Sequence, residues 1–437
     1  MHYLVNPAPL TGGAVAVPGD KSISHRALML GAIADGETTV SGFLQGEDCL
    51  ATLAALRAMG VNIDARDATT LRIRGAGMRG LRKPPTALDL GNSGTGMRLF
   101  TGFLCGQDFS STLTGDESLT RRPMARVIDP LTRMGADIGS NNGLPPLTIR
   151  GSRRLTGIQY SLPMASAQVK SAILLAALYA DGETNVIEPA PTRDHTERML
   201  QAVGVVLHAE GGRIRMSGKQ TVKPANVEVP GDLSSAAFII LAALMAPDCE
   251  VLLKRVGMNP TRSGVIDILR EMGAAIAVEN CASLGFEPVA DIRVRSSALK
   301  AIDVDPSLVS LAIDEFPVLF VAAAAAKGCT RFTGIGELRV KESDRISAMA
   351  EGLRQLGITV EEFNDGANVH GGKLTGGIVE SHGDHRVAMS FAAAGTIAAT
   401  PVRILHTDAV DTSFPGFVEC MRSVGADIST GRERPMS

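Results

Sequence analysis

The fold of this chain is indicated by a recurring octapeptide, first seen as Leu56-Arg57-Ala58-Met59-Gly60-Val61-Asn62-Ile63. It returns as Leu131-Thr132-Arg133-Met134-Gly135-Ala136-Asp137-Ile138, and similar stretches surround Gly204, Gly273, Gly357 and Gly425. Each copy has the pattern of a helix end, a glycine and the start of an alternating strand, and glycine supplies the left-handed residue that ends a helix. Successive copies lie 68 to 84 residues apart, so the sequence predicts six copies of one α/β unit.

A second phrase lies between the copies and predicts a second helix in each unit. Residues 34–40 resemble residues 180–186, and residues 326–332 form a looser third copy of a helix, a turn and a strand. The alternative interpretation is an ordinary α/β chain without internal repeats, because a glycine after a helix is common. Six occurrences at similar spacing favour true repetition.

The length of the chain divides the six units into two domains. One core built from all 437 residues would exceed the usual limit of about 250–300 residues. The tetrapeptide Val-Pro-Gly-Asp occurs at 17–20 and again at 229–232, before the first and fourth units. We therefore expect one domain of residues 21–230 and a second of 231–437 plus 1–20, with the strand at 13–18 returning to the second. Two crossovers, near 18–21 and 229–232, would form a double hinge that closes over a ligand.

Composition excludes several classes of protein. The net charge of −3 provides no basic field for nucleic acid or a membrane surface, and 4% aromatic residues with no Trp argue against base-stacking platforms. The six cysteines form no CxxC pair. No basic and apolar leader begins the sequence, and apolar stretches such as 318–326 are too short to span a bilayer. The expectation is a soluble cytoplasmic protein without nucleic-acid or membrane partners.

Polar segments precede five apolar stretches that we predict as helices, at 27–34, 97–104, 172–179, 197–203 and 387–399. Hydroxyl and carboxylate side chains there suit N-caps. Four cations also fall there, and in a first turn the helix dipole disfavours positive charge: Lys21, Arg26, Arg193 and Arg386. Such cations are explained if an anion lies between them and the backbone N–H groups, which predicts a phosphate or carboxylate site.

Other segments combine charge with unusual neighbours. Asp314 and Glu315 precede a very apolar run, and residues 339–346 contain three cations and two anions, which a solvated helix start would also explain. Pro123 follows two arginines and suits the first position of a helix. Residues 91–98 match neither a P-loop nor GxGxxG, and the histidines near Asp384 lack metal-ligand spacing, so we expect no metal.

Taken together, the motifs resemble one family. Residues 18–26, 91–95, 122–124, 339–345 and 384–386 resemble, in order along the chain, the 3-phosphoshikimate 1-carboxyvinyltransferases, or 5-enolpyruvylshikimate-3-phosphate synthases, of aromatic amino-acid biosynthesis. Residues 162–168 and 192–197 resemble the branch called class II. The resemblance implies two domains of three βαβαββ units each, which close on substrate. It also implies transfer of the enolpyruvyl group of phosphoenolpyruvate to the 5-hydroxyl of shikimate 3-phosphate with release of phosphate, by a monomer that needs no metal or organic cofactor.

The resemblance also implies roles for individual residues. Asp314 would be the base and Glu342 the acid, with Lys21 assisting. The residues implied to contact shikimate 3-phosphate are Lys21, Ser22, Arg26, Ser166, Ala167, Gln168, Arg193, Asp314 and Lys341. Those implied to hold phosphoenolpyruvate are Lys21, Gly94, Arg122, Gln168, Arg345 and Arg386.

The chain departs from the family pattern at two positions. The resemblance also implies one inhibitor. Thr412 stands where many relatives have a lysine, so one cationic contact to phosphoenolpyruvate is in doubt, and Ala167 offers only its backbone where some relatives have a serine. Gly94 would leave room for glyphosate in the phosphoenolpyruvate site, which predicts a sensitive enzyme.

Two other functions remain as alternatives. A UDP-N-acetylglucosamine enolpyruvyl transferase would carry a reactive cysteine within 115–124, where this chain has none. A non-catalytic anion-binding repeat protein would not need Asp314 and Glu342 beside cationic motifs.

Overall fold

The computed structural model describes residues 1–151 and 154–432, and it divides the chain into two compact units. Unit 1 comprises residues 1–18, 230–283 and the chain from 288 on, and unit 2 comprises residues 19–229 with 284–287. The domain boundaries that we predict at the crossovers near 18–21 and 229–232 remain a proposal.

Helices and strands alternate along the described chain. The helices are α1 Lys21–Ile33, α2 Glu47–Ala58, α3 Gly94–Cys105, α4 Glu117–Thr120, α5 Ala125–Arg133, α6 Ala167–Ala177, α7 His195–Ala202, α8 Leu233–Met245, α9 Gly264–Glu271, α10 Val309–Ala312, α11 Phe316–Ala325, α12 Arg345–Gln355, α13 His385–Gly395 and α14 Phe417–Ser423. Short 3-10 helices occupy Pro306–Leu308, Ile313–Glu315, Gly336–Val340 and Thr407–Thr412.

The strands fall between these helices. They are β1 His2–Asn6, β2 Gly13–Val15, β3 Glu37–Ser41, β4 Asn62–Ala65, β5 Leu71–Arg74, β6 Leu88–Asp89, β7 Ser110–Thr114, β8 Asp137–Asn141, β9 Leu144–Arg150, β10 Gln159–Ser161, β11 Glu183–Ile187, β12 Leu207–Glu210, β13 Arg213–Ser217, β14 Asn226–Glu228, β15 Glu250–Gly257, β16 Ala275–Leu284, β17 Glu287–Arg295, β18 Cys329–Phe332, β19 Val360–Phe363, β20 Gly366–His370, β21 Gly377–Glu380, β22 Val402–Leu405 and β23 Asp427–Gly431.

The strands form six small sheets with one repeated topology. In unit 2 the orders are β14-β3-β5-β4, β6-β7-β9-β8 and β10-β11-β13-β12, and in each the first pair is parallel and the others antiparallel. In unit 1 they are β2-β15-β17-β16, β21-β22-β1-β23 and β18-β20-β19. In the last sheet, two isolated parallel bridges at Lys300 and Asp303 take the place of a fourth strand. Six copies of one α/β unit are therefore confirmed.

The six glycines of the repeated octapeptide all adopt positive φ. Their φ angles lie between 84° and 98°, and each follows a helix and precedes a strand. Side chains rarely adopt this conformation, which explains why the sequence places glycine at that point in every copy.

The core of each unit is a set of three buried apolar helices surrounded by its sheets. They are α1, α3 and α6 in unit 2, and α8, α11 and α13 in unit 1. Helices α3 and α6 approach closely because Gly102 has no side chain: a Cβ there would lie 2.0 Å from the carbonyl oxygen of Ala172. This packing fixes the N-terminal ends of α3 and α6 side by side.

Three local predictions need correction. The five helices begin two to six residues earlier than expected, because their N-cap residues lie within or directly before the polar segments, so the later residues of these segments are helical. Pro123 does not occupy the first position of a helix, since α5 begins at Ala125. The helical stretch Pro306–Ala325 is long and apolar enough to cross a membrane, although 67% of its apolar window is buried in unit 1, as expected for a core helix.

Candidate active site

In unit 2, predicted site residues gather at the N-terminal end of α1. Asp20 caps this helix, because its Oδ1 accepts a hydrogen bond from the Ile23 N–H at 2.9 Å. The cap lets the helix begin at Lys21, whose ammonium lies 2.9 Å from Oδ2 of Asp48. Lys21 is therefore held at the first turn, where free backbone N–H groups also attract anions.

Arg26 lies one turn further along α1 and is almost fully buried. Its Nε donates to Oγ1 of Thr196 at 2.6 Å, and its Nη2 donates to Oγ of Ser171 at 2.8 Å. A third bond joins Nη1 to the carbonyl oxygen of Ser22 at 2.9 Å. Burial lowers the pKa of Arg26 to about 10, with Glu197 acting in the opposite direction, so the guanidinium stays charged at neutral pH.

The N-terminal ends of α3 and α6 form a second part of the unit 2 cluster. Ser166 caps α6, and Gln168 bridges to α3 by accepting from Nη1 of Arg98 at 2.7 Å and donating to Oγ1 of Thr95 at 2.9 Å. Arg122 approaches the same place, since a Cβ built on Gly94 would lie 2.9 Å from its Nη1. Gln168, Gly94 and Arg122 are thus brought together, as expected for parts of one site.

The argument from helix dipoles holds for only two of the four cations. Lys21 and Arg386 lie in first turns, but Arg26 falls in the second turn of α1. Arg193 precedes α7, which begins at His195. The first-turn position predicted for Arg26 and Arg193 was wrong because the helix boundaries were misplaced.

Sequence reasoning missed a buried ion cluster behind these residues. Nζ of Lys170, in α6, lies 2.6 Å from Oε1 of Glu197 and 3.0 Å from Oε2 of Glu188. Burial raises the pKa of Glu197, and Lys170 partly offsets that rise. Glu197 follows Thr196, which holds Arg26, so the cluster supports a predicted site residue. A lysine two residues before the apolar run at 172–179 was the available signal.

In unit 1, Arg345 is the centre of the other cluster. It is 2% exposed, and its Nε lies 2.8 Å from Oδ2 of Asp384. Its Nη2 lies 2.6 Å from Oε2 of Glu342, and its Nη1 lies 3.4 Å from Oδ1 of Asp314. Burial opposes the charged form, but the carboxylates of Asp384, Glu342 and Asp314 outweigh it and raise the pKa of this guanidinium.

Asp314 therefore lies among three cations. Besides Arg345, Nζ of Lys341 is 3.7 Å from Asp314 Oδ1, and Nη2 of Arg386 is 4.0 Å from Oδ2. Lys341 also contacts Oε1 of Glu337 at 3.0 Å. Asp314 and Glu342, the two predicted proton-transfer groups, are thus held on opposite nitrogens of a single buried guanidinium.

The remaining predictions concern Thr412 and metal binding. The hydroxyl of Thr412 donates to the carbonyl oxygen of Ala409 at 2.7 Å, within a 3-10 helix, and supplies no cation in place of the lysine of relatives. His382 lies 3.3 Å from Glu351. Among the residues that the structure describes, no group of three or more His, Cys, Asp or Glu side chains could hold a metal ion.

Unit 2 thus presents cations at helix N-termini, and unit 1 presents two carboxylates among cations. Each cluster has the residue types that bind anions, and the carboxylates of unit 1 are of the kind that transfer protons in enzymes. Comparison with known proteins shows the family. The family description EPSP synthase (3-phosphoshikimate 1-carboxyvinyltransferase) matches residues 5–421. The chain belongs to this family, and the predicted family and fold are confirmed.

Relatives and solved structures match over nearly the whole chain. A 3-phosphoshikimate 1-carboxyvinyltransferase from Alkalilimnicola ehrlichii is 57% identical, over 99% of this chain and 97% of its own length. One from Coxiella burnetii is 54% identical, over 99% of both chains. A structure of EPSP synthase from Acinetobacter baumannii is 50% identical, with a TM-score of 0.88, and the match covers 98% of this chain and 100% of that chain.

Proposed function

We propose that this chain transfers the enolpyruvyl group of phosphoenolpyruvate to the 5-hydroxyl of shikimate 3-phosphate and releases phosphate. Its product leads to chorismate and the aromatic amino acids. Family membership over nearly the full chain supports this reaction. The observation in the structure that carries it is the pair Asp314 and Glu342 on Arg345, because the reaction needs one base and one acid.

The unit 2 cluster supports binding of shikimate 3-phosphate. Cations and helix N-termini together bind phosphate groups, and α1 and α6 supply both. The residues we assign to this substrate are Lys21, Ser22, Arg26, Ser166, Ala167, Gln168, Arg193, Asp314 and Lys341. Arg26 is pre-oriented by Thr196 and Ser171, so little side-chain freedom is lost when the anion binds.

A second set is assigned to phosphoenolpyruvate, namely Lys21, Gly94, Arg122, Gln168, Arg345 and Arg386. Arg386 carries the clearest geometric support. Its Nη1 donates to the carbonyl oxygen of Asp314 at 2.9 Å, but Nη2 makes only the 4.0 Å contact with Asp314 Oδ2. Its Nε makes no hydrogen bond within the described part of the chain. The Nε–Nη2 edge is therefore available for a bidentate contact with a carboxylate or phosphate.

Proton transfer follows from the assigned roles. Asp314 accepts the proton of the 5-hydroxyl as its oxygen bonds to C2 of phosphoenolpyruvate, and Glu342 donates a proton to the methylene carbon C3. Elimination reverses this proton flow: the Glu342 carboxylate takes a proton from the new methyl group, the C2–C3 double bond forms, and the C2–O bond to phosphate breaks as the phosphate leaves with the proton that Asp314 holds. Lys21 assists by stabilising negative charge. The overall reaction is balanced without a metal or organic cofactor.

Two further parts of the proposal concern where the enzyme acts and with which partners, and which acceptor it uses. We propose a cytoplasmic monomer whose partners are its two small substrates, because no charge pattern favours nucleic acid or a membrane surface. The alternative acceptor, UDP-N-acetylglucosamine, is disfavoured. Cys105 is buried in α3, where burial raises the pKa of its thiol to about 12 and leaves it a poor nucleophile.

Phosphate release tests the reaction. The purified chain with phosphoenolpyruvate should release phosphate when shikimate 3-phosphate is added. UDP-N-acetylglucosamine at the same concentration should give only the background rate. Equal rates with the two acceptors, or release with the nucleotide sugar alone, would overturn the proposal.

A further inference from the structure

A buried carboxylate beside Asp314 has no role in the reaction described above. Glu315 is 2% exposed, and its Oε1 accepts a hydrogen bond from the hydroxyl of Ser234 and lies 3.5 Å from Nη1 of Arg386. Its Oε2 has no hydrogen-bond partner within the described part of the chain. Burying a carboxylate costs free energy unless a cation or hydrogen-bond donors stabilise its charge. For Glu315 the neighbouring cation is Arg386.

The hydroxyl of Ser234 has a fixed direction. Its Oγ accepts from Nη2 of Arg262 at 2.5 Å, so its single proton is directed to Glu315. Arg262 is in turn held by Oδ1 of Asp232 at 2.7 Å. All three side chains are almost completely buried. The relay from Asp232 through Arg262 and Ser234 therefore fixes where the Glu315 carboxylate lies.

The sequence repeat places a serine at the corresponding position of both units. The tetrapeptide at 229–232 is followed by Leu233 and Ser234, where its copy at 17–20 is followed by Lys21 and Ser22. Lys21 lies beside Asp48 in the predicted substrate cluster, but unit 1 has a leucine at that position. The serine is thus kept in both units, and in unit 1 its partner is another side chain of the protein.

We infer that Glu315 is a positioning residue for Arg386. It draws Nη1 of Arg386 inwards, together with the carbonyl oxygen of Asp314, so that the Nε–Nη2 edge is turned to the anion that Arg386 binds. This inference rests on the proposed function, in which that anion is phosphoenolpyruvate. Because Arg386 contacts substrate without taking part in proton transfer, loss of Glu315 should weaken binding of phosphoenolpyruvate more than it slows the chemical step.

The experiment is a double-mutant cycle on steady-state kinetics. Glu315→Gln keeps the shape but removes the charge, and we expect it to raise the KM for phosphoenolpyruvate about tenfold, the lower range for a residue that orients a ligand-binding group. The kcat and the dissociation constant of shikimate 3-phosphate should change less than threefold. A change of this size is about the deviation from additivity that is seen for mutations at independent sites. Glu351→Gln is the matched control, because it removes an exposed carboxylate paired with His382. It should leave the KM, the kcat and the dissociation constant unchanged.

The Arg386→Lys background separates positioning from a general loss of structure. If Glu315 acts through the fork of Arg386, then Glu315→Gln should have no further effect on the KM once that fork is gone. A tenfold effect that persists in this background would overturn the inference. So would an unchanged KM in Glu315→Gln when Arg386→Lys alone raises it.

Failure of the proposed function gives a different result. An unchanged KM in Arg386→Lys would remove Arg386 from the phosphoenolpyruvate site, and an inactive wild type would remove the reaction. Ser234→Ala serves if Glu315→Gln does not fold, because it breaks the relay without changing residues 313–316. It should raise the same KM, and a normal KM in a folded Ser234→Ala variant would contradict the inference.

Discussion

Single side chains in this protein carry charge in places where water cannot stabilise it. Arg345 is bound by three carboxylates and Arg26 by two hydroxyls, so each guanidinium is fixed before a substrate arrives. The sequence predicted Arg26 as a site residue because cations near helix starts indicate anion binding, and it predicted Arg345 through the family resemblance. It could not predict their partners, since Asp384 and Ser171 are far from them in the chain and pair only in the fold. The same is true of Lys170 and Glu315, whose roles depend on burial.

His25 gives a pH-dependent stability. It is fully buried in α1, with Nδ1 2.8 Å from Oγ1 of Thr52, and burial together with Lys21 and Arg26 lowers its pKa to about 3. The unfolded chain binds this proton near pH 6.5 and the folded chain does not. The free energy of unfolding should therefore fall between pH 6.5 and pH 3, by up to about 1.4 kcal/mol per pH unit.

Urea unfolding of wild type and His25→Gln at pH 7 and pH 5 measures this contribution. The wild type should lose about 2 kcal/mol more than the variant over that interval. The same pH dependence in both proteins would show that His25 is not buried as the neutral form.

Gly94→Ala tests how closely α3 approaches Arg122. The sequence predicted that a methyl group would occupy space needed by glyphosate. In the structure, a Cβ at Gly94 lies 2.9 Å from Nη1 of Arg122 and 3.0 Å from Nη1 of Arg98. The methyl group should therefore displace the arginines, and we now expect the KM for phosphoenolpyruvate and the inhibition constant of glyphosate to rise together, by roughly ten- to a hundredfold.

Gly96→Ala is the control for that measurement. Its Cβ would lie 2.9 Å from Oγ of Ser93, the cap of α3, and it is not directed at either arginine. It should lower stability and leave both constants close to those of the wild type. A loss of glyphosate affinity alone in Gly94→Ala would contradict this expectation and show that the methyl group fills space that only glyphosate needs.

At the scale of elements, helix starts position the chemistry, and their caps determine where they begin. The sequence predicted the five apolar helices because their hydrophobic runs are continuous. Their first turns were missed, since Lys21–Arg26 and Ala167–Ser171 mix polar and apolar residues and look like loops. Asp20 and Ser166 make these segments helical by accepting hydrogen bonds from backbone N–H groups.

Asp384 is the cap whose removal should cost most. Its Oδ1 accepts from the Arg386 N–H at 2.8 Å, its Oδ2 pairs with Arg345, and it is fully buried. Asp384→Ala would remove the cap and leave Arg345 without its most deeply buried counter-ion, so we expect a loss of about 3–5 kcal/mol. Asp305→Ala, which removes the exposed cap of Pro306–Leu308, should cost much less. Urea midpoints compare the two, and equal losses would contradict a special role for the buried pair.

At the scale of the whole molecule, repetition made the fold predictable. The six glycines at similar spacing predicted six sheets, because a left-handed residue after a helix is a local requirement that survives in every copy. The substrate of such a fold cannot be predicted from the repeat, since it depends on residues that differ between copies. Lys21 and Leu233 after the same tetrapeptide are one such difference.

Closure on substrate remains a prediction from the two crossovers. Shikimate 3-phosphate would give the cations of both units a shared counter-ion, and the radius of gyration from small-angle scattering should then decrease when it is added. Inorganic phosphate at the same concentration is the control, because it cannot present a ring hydroxyl and a phosphate together. An unchanged radius at saturating shikimate 3-phosphate would count against a hinge.

The most direct test of the central claim is the turnover of Asp314→Asn. If Asp314 is the base, the variant should bind shikimate 3-phosphate with nearly the wild-type dissociation constant, while kcat for phosphate release falls by about 10²- to 10⁴-fold. Asn keeps the size of the side chain, and the contacts of Arg345 with Asp384 and Glu342 hold the rest of the cluster. A kcat close to that of the wild type would contradict the assignment of proton transfer to this carboxylate.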